Sequence, residues 1–159
     1  MVSKTFFQFL FFLSILFFSP GSVFAQHSKQ SYKELAQEVL HYVNEHREKI
    51  GLRALAMNEI ISEAAEKHSH DMATGRVPFG HEGFDARMGR LRKKLQPVNA
   101  WAENVAAGDE TAREVVEMWL QSPGHKKNIE GNYNLTGIGI VSSRDGQLYF
   151  TQIFINKRN

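Results

Sequence analysis

The sequence predicts an α+β fold: a three-layer α-β-α sandwich with a small antiparallel sheet between helices. Two patterns and one burial argument carry that prediction. Through most of the chain, apolar residues recur at helical spacing. In the last quarter the period shortens, and segments 135–142 and 147–155 read as β-strands joined by Arg144-Asp145-Gly146, a hairpin signal. In the second strand Leu148, Phe150 and Phe154 face one way while Tyr149, Ile153 and Ile155 face the other. A sheet apolar on both faces must be covered on both, and helices are what the rest of the chain supplies.

The first 25 residues read as an address rather than as part of the fold. Eight of the 12 Phe lie there, most of them in an apolar run from Phe6 to Phe18 that follows Lys4. The run breaks at Ser19-Pro20-Gly21 and reaches Val23-Phe24-Ala25, with small residues suited to cleavage after Ala25. It is shorter than the ~20 residues that span a bilayer. A cleaved secretory signal peptide at 1–25 is expected, leaving one domain at 26–159 with no transmembrane anchor, secreted to an extracellular or periplasmic space.

The remaining elements follow in order. Ser31-Tyr32-Lys33-Glu34 is a capping box that predicts a helix start, with Leu35, Val39, Tyr42, Val43 and Ile50 on one face and Gly51 as the stop. Asn58 caps a second helix carrying Ile61, Ala64, Ala65, His68 and Met72, ended by Gly75. A third has Phe84, Met88, Leu91 and Leu95 as its stripe and closes at Pro97. Asp109 or Thr111 starts a fourth, with Ala112, Val115, Val116 and Trp119 inward, broken by Ser122-Pro123-Gly124. Gly137 and Gly139 alternate with Ile138 and Ile140, so one face of that strand is bare enough for a helix or a cavity wall to approach closely.

Composition narrows the function classes. With no Cys there is no disulfide scaffold, zinc ribbon or thiol nucleophile. Loss of Lys4 with the leader leaves a formal net charge of +1, which gives no electrostatic case for nucleic acid. No G-x-S-x-G elbow occurs, and after His81-Glu82 the position of a zinc protease's second His is Asp85. Arg87, Arg90, Arg92, Lys93 and Lys94 form a basic cluster whose default reading is a solvated helix face; an acidic envelope polymer or anionic headgroup is the sharper one.

Three residues stand out by context: His81 in Phe-Gly-His-Glu-Gly-Phe, Glu103 in Trp-Ala-Glu-Asn-Val, and His125 in Ser-Pro-Gly-His. All are expected in loops or at element ends. Two imidazoles and a carboxylate suit a divalent metal, or a base with its supports, and polar loop residues that tie turns would look the same. His68 and His70 are two apart on a helix and cannot chelate together; His68 reads as a core histidine. Ser122 beside His125 is a weak nucleophile-and-base pattern.

The order F-G-H-E-G-F, A-E-N-V-A, W-L-Q-S-P-G-H-K-K-N-I, T-G-I-G-I and Y-F-T-Q-I-F resembles the CAP superfamily of cysteine-rich secretory, antigen 5 and pathogenesis-related-1 proteins. The likeness runs from about Leu35 to Phe154 and is greatest to the bacterial-type branch without cysteines. It implies an α-β-α sandwich with a cleft lined by two His and two Glu. His81, Glu103 and His125 match three of the four, and Ser122 stands where the second Glu would be, three residues after Trp119. Neither Glu82 nor Glu117 has the offset to replace it. By the same resemblance His81 and His125 are the residues that would hold a divalent metal such as zinc. The function it implies is a secreted binding module for a lipid-like or cell-envelope ligand. The alternative is a metal-assisted hydrolase, a peptidase or envelope hydrolase, with Glu103 as candidate base.

Overall fold

The computed structural model describes residues 20–158, with side chains from residue 31 onward. The chain runs α1 (Pro20–Lys49), β1 (Ala56–Met57), α2 (Glu59–Ala73), α3 (Phe84–Leu95), β2 (Val98–Gly108), α4 (Ala112–Gln121), α5 (Pro123–Ile129), β3 (Leu135–Ser142) and β4 (Leu148–Lys157). The sheet order is β1-β3-β4-β2. β2, β4 and β3 are antiparallel neighbours, while the two-residue β1 lies parallel to β3.

Period-two alternation splits the core as expected. Ile138, Ile140, Phe150 and Phe154 meet Val39 and Val43 of α1 and Val115, Val116 and Trp119 of α4. On the opposite face Ile153 and Ile155 meet Ile61 and Ala65 of α2 and Met88, Leu91 and Leu95 of α3. The sandwich is therefore helices, sheet, helices. Asn58 caps α2 by accepting from the Ile61 N–H, and Thr111 with Glu114 forms a complete capping box on α4. The bare face of β3 is filled by backbone: a Cβ at Gly137 would strike Ile61 and Ser62, and one at Gly139 would strike Ala65 and Glu66, all on α2. Only glycine lets that helix lie directly on the strand.

Four features depart from the sequence reading. α1 starts at Pro20, not at Ser31. Pro suits a first helical turn, and residues 22–30 contain no Pro or Gly to stop it. The expected cleavage point after Ala25 falls in the early turns of this helix, and the apolar run Phe6–Phe18 lies outside the described residues. No described helix is long and apolar enough to cross a membrane. Second, Ser122-Pro123-Gly124 ends α4 but also opens α5, with Pro123 in its first turn. Third, β1 is too short to show a period.

The fourth difference matters most. Residues 98–108, to which the sequence reading assigned no strand, are the eleven-residue strand β2, paired with β4 from Val98↔Lys157 to Gly108↔Leu148. Its Ala, Asn and Glu residues have weak strand preference. It is a strand because β4 offers an edge along its whole length.

Candidate functional site

β2 is an edge strand, and its two faces carry the two halves of the site. Glu103 sits mid-strand opposite Ile153, on the face covered by α2 and α3, and is 4% exposed. A carboxylate this deep needs charge and donors around it. Arg87 of α3 supplies both: its Nε donates to Glu103 Oε2 at 2.8 Å and its Nη2 to Oε1 at 2.7 Å. This is a two-bonded fork between a buried cation and a buried anion. Arg87 Nη1 also donates to the Glu82 carbonyl at 3.2 Å, tying the preceding loop to α3.

His81 closes on the same carboxylate, with Nδ1 at 3.0 Å from Glu103 Oε1. An ionised carboxylate only accepts, so Nδ1 carries the hydrogen and Nε2 remains the ring's acceptor. His81 is otherwise half-exposed, at 50% of its side chain. Beneath it His68 of α2 is buried and donates Nε2–H to the Gly80 carbonyl at 2.8 Å, holding the turn from which His81 projects. The same nitrogen lies 3.8 Å from Glu103. His70, two residues on, is turned away and 46% exposed.

On the other face of β2, Asn104 is fully buried and seats α5. Its Nδ2 donates to the His125 carbonyl at 3.2 Å, while Asn128 Nδ2 donates to Asn104 Oδ1 at 2.9 Å and to the Glu103 carbonyl at 3.2 Å. Amide pairing with the edge strand thus sets the position of His125. Burial is the first cause that holds the His125 pKa below the usual imidazole value. Ser122 lies at the joint of α4 and α5, where its N–H bonds the Trp119 carbonyl and its hydroxyl caps neither helix. Glu82 contributes a backbone carbonyl, and Glu117 is 57% exposed beside Arg113 on α4.

The structure brings His81 and Glu103 into direct contact and sets His125 nearby, and it corrects the expectation that all three stand in loops or at element ends. It also assigns two residues that the pattern undervalued. Arg87, grouped with the solvated basic cluster, is 6% exposed and faces inward, while Arg90, Arg92, Lys93 and Lys94 are exposed. Its spacing held the signal: position 87 is three after Phe84 and four before Leu91, inside the apolar stripe. His68 is a core residue as read, but one that supports the site.

These residues do not form a fitting set for a resident metal ion. Among the described residues no group of three or more His, Cys, Asp or Glu can hold one. The chemical reason is that Arg87 takes both oxygens of Glu103 and Glu103 takes Nδ1 of His81. Two imidazoles alone fall short of the three protein ligands that catalytic zinc uses.

The buried imidazoles give the site a pH dependence. Burial is the largest cause that lowers the pKa of both His68 and His125. A group lowered in the folded state binds its proton more readily unfolded, so stability is full above the unfolded value of about 6.5 and is lost as pH falls through the window below it. The thermal midpoint is expected to be level from pH 7 to 8 and to fall below about pH 6.5. Replacing His68 and His125 by Gln should flatten that fall; an unchanged slope would show that other groups cause it.

The comparisons bear on the fold and the family. The profile of the CAP family, described as the cysteine-rich secretory protein family, matches residues 40–154. Protein YkwD of Bacillus subtilis is 33% identical over 141 residues, which take in 87% of this chain and 50% of YkwD. Membrane protein YlbC of the same organism is 28% identical over 143 residues, 87% of this chain and 39% of its own. The chain thus spans half or less of the curated relatives it matches. Among solved structures, an outer surface protein from Borrelia burgdorferi superposes with a TM-score of 0.70 at 25% identity, covering 79% of this chain and 95% of that one. An extracellular SCP-domain protein from Bacillus anthracis gives 0.66 at 26% identity, covering 88% and 44%. With the ordered motifs, the α-β-α sandwich and the matched profile in agreement, this cysteine-free chain belongs to the CAP family.

Proposed function

We propose that this CAP domain is an exported binding module whose cleft, between His81 and His125, takes a lipid-like or cell-envelope ligand. The observation that carries the reading is the grip of Arg87 on Glu103. With both oxygens committed and its side chain 1% exposed, Glu103 supports and orients His81 rather than activating water or ligating a metal. What these residues offer a ligand is the remaining acceptor of His81, the ring of His125, and Phe79, which is 58% exposed two residues from His81. Phe79 meets Tyr149 edge-on at 6.4 Å, giving the same loop an apolar end. Polar groups beside an apolar patch suit an amphiphile. Export rests on the leader pattern at 1–25 and on solved relatives described as extracellular or outer-surface proteins.

One observation favours the second reading, a hydrolase. A carboxylate that orients an imidazole is half of a general-base arrangement. That chemistry would run through His81, not Glu103, and zinc at His81 and His125 would be held by two imidazoles only.

The test is mass spectrometry of molecules that co-purify with the secreted protein and with its His81→Ala/His125→Ala variant. An apolar or envelope-derived molecule present in the first and lost from the second is expected, with zinc content low in both. Turnover of a peptide, ester or peptidoglycan substrate that disappears in the variant would overturn the reading in favour of the hydrolase.

A further inference from the structure

The cations of α3 that Glu103 does not use gather at one end of the sheet. Arg92, Lys93 and Lys94 stand in the last turn of α3 with Arg90 just before them, and all are exposed. The chain then passes Pro97 into β2, where Val98 pairs with Lys157 of β4 and the Pro97 carbonyl accepts the Arg158 N–H at 3.2 Å. That pairing brings Lys157 and Arg158, from far along the chain, beside the end of α3. Lys157 has the strand parity of Ile153 and Ile155, so it lies on the face that α2 and α3 cover.

The carboxylates around these cations are too few to answer them. None of the six has an ion pair or a side-chain hydrogen bond among the described residues. On the neighbouring elements Glu103 is held by Arg87, Glu59 by Lys33, and Asp71 by Lys67 and Arg76. Glu66 lies over β3, on the other side of α2. Glu63 and Glu82 line the groove between α2 and α3 with Arg90 and Lys94, and Asp85 opens α3. Setting Arg90, Lys94 and Arg92 against Glu63, Glu82 and Asp85 still leaves Lys93, Lys157 and Arg158. A terminal carboxylate beyond Arg158 answers at most one of these, and the negative end of α3 supplies only about half a unit charge.

An aromatic side chain sits beside the excess charge. Trp101 pairs with Ile155, which puts it on the same face of β2 as Glu103, near the Val98 end. It is 36% exposed, and its indole N–H makes no hydrogen bond among the described residues. β2 is the outer strand of the sheet, so no further strand screens it. An indole of this kind suits the headgroup layer of a bilayer, where the ring meets apolar chains and the N–H stays wet. Lys and Arg beside it reach anionic phosphates while their stems lie along the surface. A soluble polyanion lying in the α2–α3 groove would meet Arg90 and Lys94 but miss Lys93, Lys157, Arg158 and Trp101, none of which lines it. We propose that the end of α3, with Lys157, Arg158 and Trp101, docks this protein on an anionic membrane surface.

The docking surface does not depend on what the His81/His125 cleft takes, and it is tested on the intact secreted protein. The probes are phosphatidylcholine vesicles with and without an equal part of phosphatidylglycerol, read by flotation and by Trp emission. Binding to the phosphatidylglycerol vesicles is expected to be about tenfold or more tighter than to phosphatidylcholine alone, and to fall as salt rises. Emission should shift to the blue on binding; Trp119 is fully buried already, so the shift reports Trp101. Lys93→Gln/Arg158→Gln should lose about fivefold in affinity per charge with the thermal midpoint in place, both positions being exposed. Trp101→Phe should still float, without the shift. His81→Ala/His125→Ala should float as wild type does. Equal flotation on the two lipids, full binding by Lys93→Gln/Arg158→Gln, or flotation of wild type without a blue shift would each overturn the proposal. Flotation lost only in His81→Ala/His125→Ala would assign the lipid to the cleft instead. Salt-sensitive binding to soluble polyphosphate with none to vesicles would assign the patch to a polyanion.

Discussion

Arg47→Met is expected to destabilise the fold by about 3–5 kcal/mol, measured by urea denaturation at 25 °C. Arg47 is 2% exposed near the end of α1, and the contacts that hold it are carbonyls rather than carboxylates. Its Nε donates to Arg53 O at 2.9 Å, Nη1 to Ile129 O at 2.6 Å and Gly131 O at 2.9 Å, and Nη2 to Tyr133 O at 3.2 Å. Those acceptors belong to the loop after α1, the end of α5 and the chain leading into β3. A cation there also answers the negative end of α5. Met keeps much of the volume but leaves four carbonyls without that donor, and each buried orphan costs about 1–3 kcal/mol unless water reaches it. Lys keeps the charge without the planar fork and should recover only part of the loss. A loss below about 1 kcal/mol would mean that water replaces the guanidinium without difficulty. The consequence reaches the site: α5 carries His125, and the neighbouring pair of His46 with Glu130, at 2.9 Å, pins the same end of α5 to α1. The His125 ring signal should therefore broaden or shift in Arg47→Met even where the protein remains folded.

The contrast between Arg47 and β2 shows what could be read from the chain alone. The amphipathic stripes of α2 and α4, their caps at Asn58 and Thr111, and the hairpin at Gly146 are local, so a window of a dozen residues contains the cause of each. The bare face of β3 was legible because glycine alternation has few other uses in a strand. β2 was not legible. Seven of its eleven residues are Ala, Asn or Glu, which favour no strand locally, and its partner β4 lies some fifty residues downstream. Missing β2 displaced Glu103 from a buried strand to a loop or element end, and with it the need for a buried cation opposite. His81, Glu103 and His125 were found through their ordered motifs. The residues that hold them, Arg87, His68, Asn104 and Asn128, act across a dozen or more residues of sequence, beyond the reach of periodicity. Only Arg87 left a local trace, an arginine inside an apolar stripe.

That arginine carries the second large effect. Arg87→Met is expected to lose about 3–5 kcal/mol, because it leaves the Glu103 carboxylate buried beside His81 without its counter-charge. The single variant cannot separate a lost ion pair from lost packing of the Arg87 stem against α3's neighbours. A cycle with Glu103→Leu can. If the penalty lies in the orphaned charge, Arg87→Met/Glu103→Leu should regain most of the stability, since a buried pair replaced by apolar groups of similar volume is often neutral. A double variant as unstable as Arg87→Met would place the cost in packing instead. The same cycle bears on the cleft's chemistry. Arg87→Met frees Glu103 Oε2 and leaves Oε1 bonded to His81 alone, so zinc should bind this variant more tightly than wild type, and Arg87→Met/Glu103→Leu no more tightly than wild type. Calorimetric titration with zinc reads all three proteins directly. Zinc binding as tight in wild type as in Arg87→Met would mean that the fork does not withhold the carboxylate from a metal. Glu103 would then be free to serve a metal-bound water, and the cleft would be better described as a hydrolytic centre than as a ligand site.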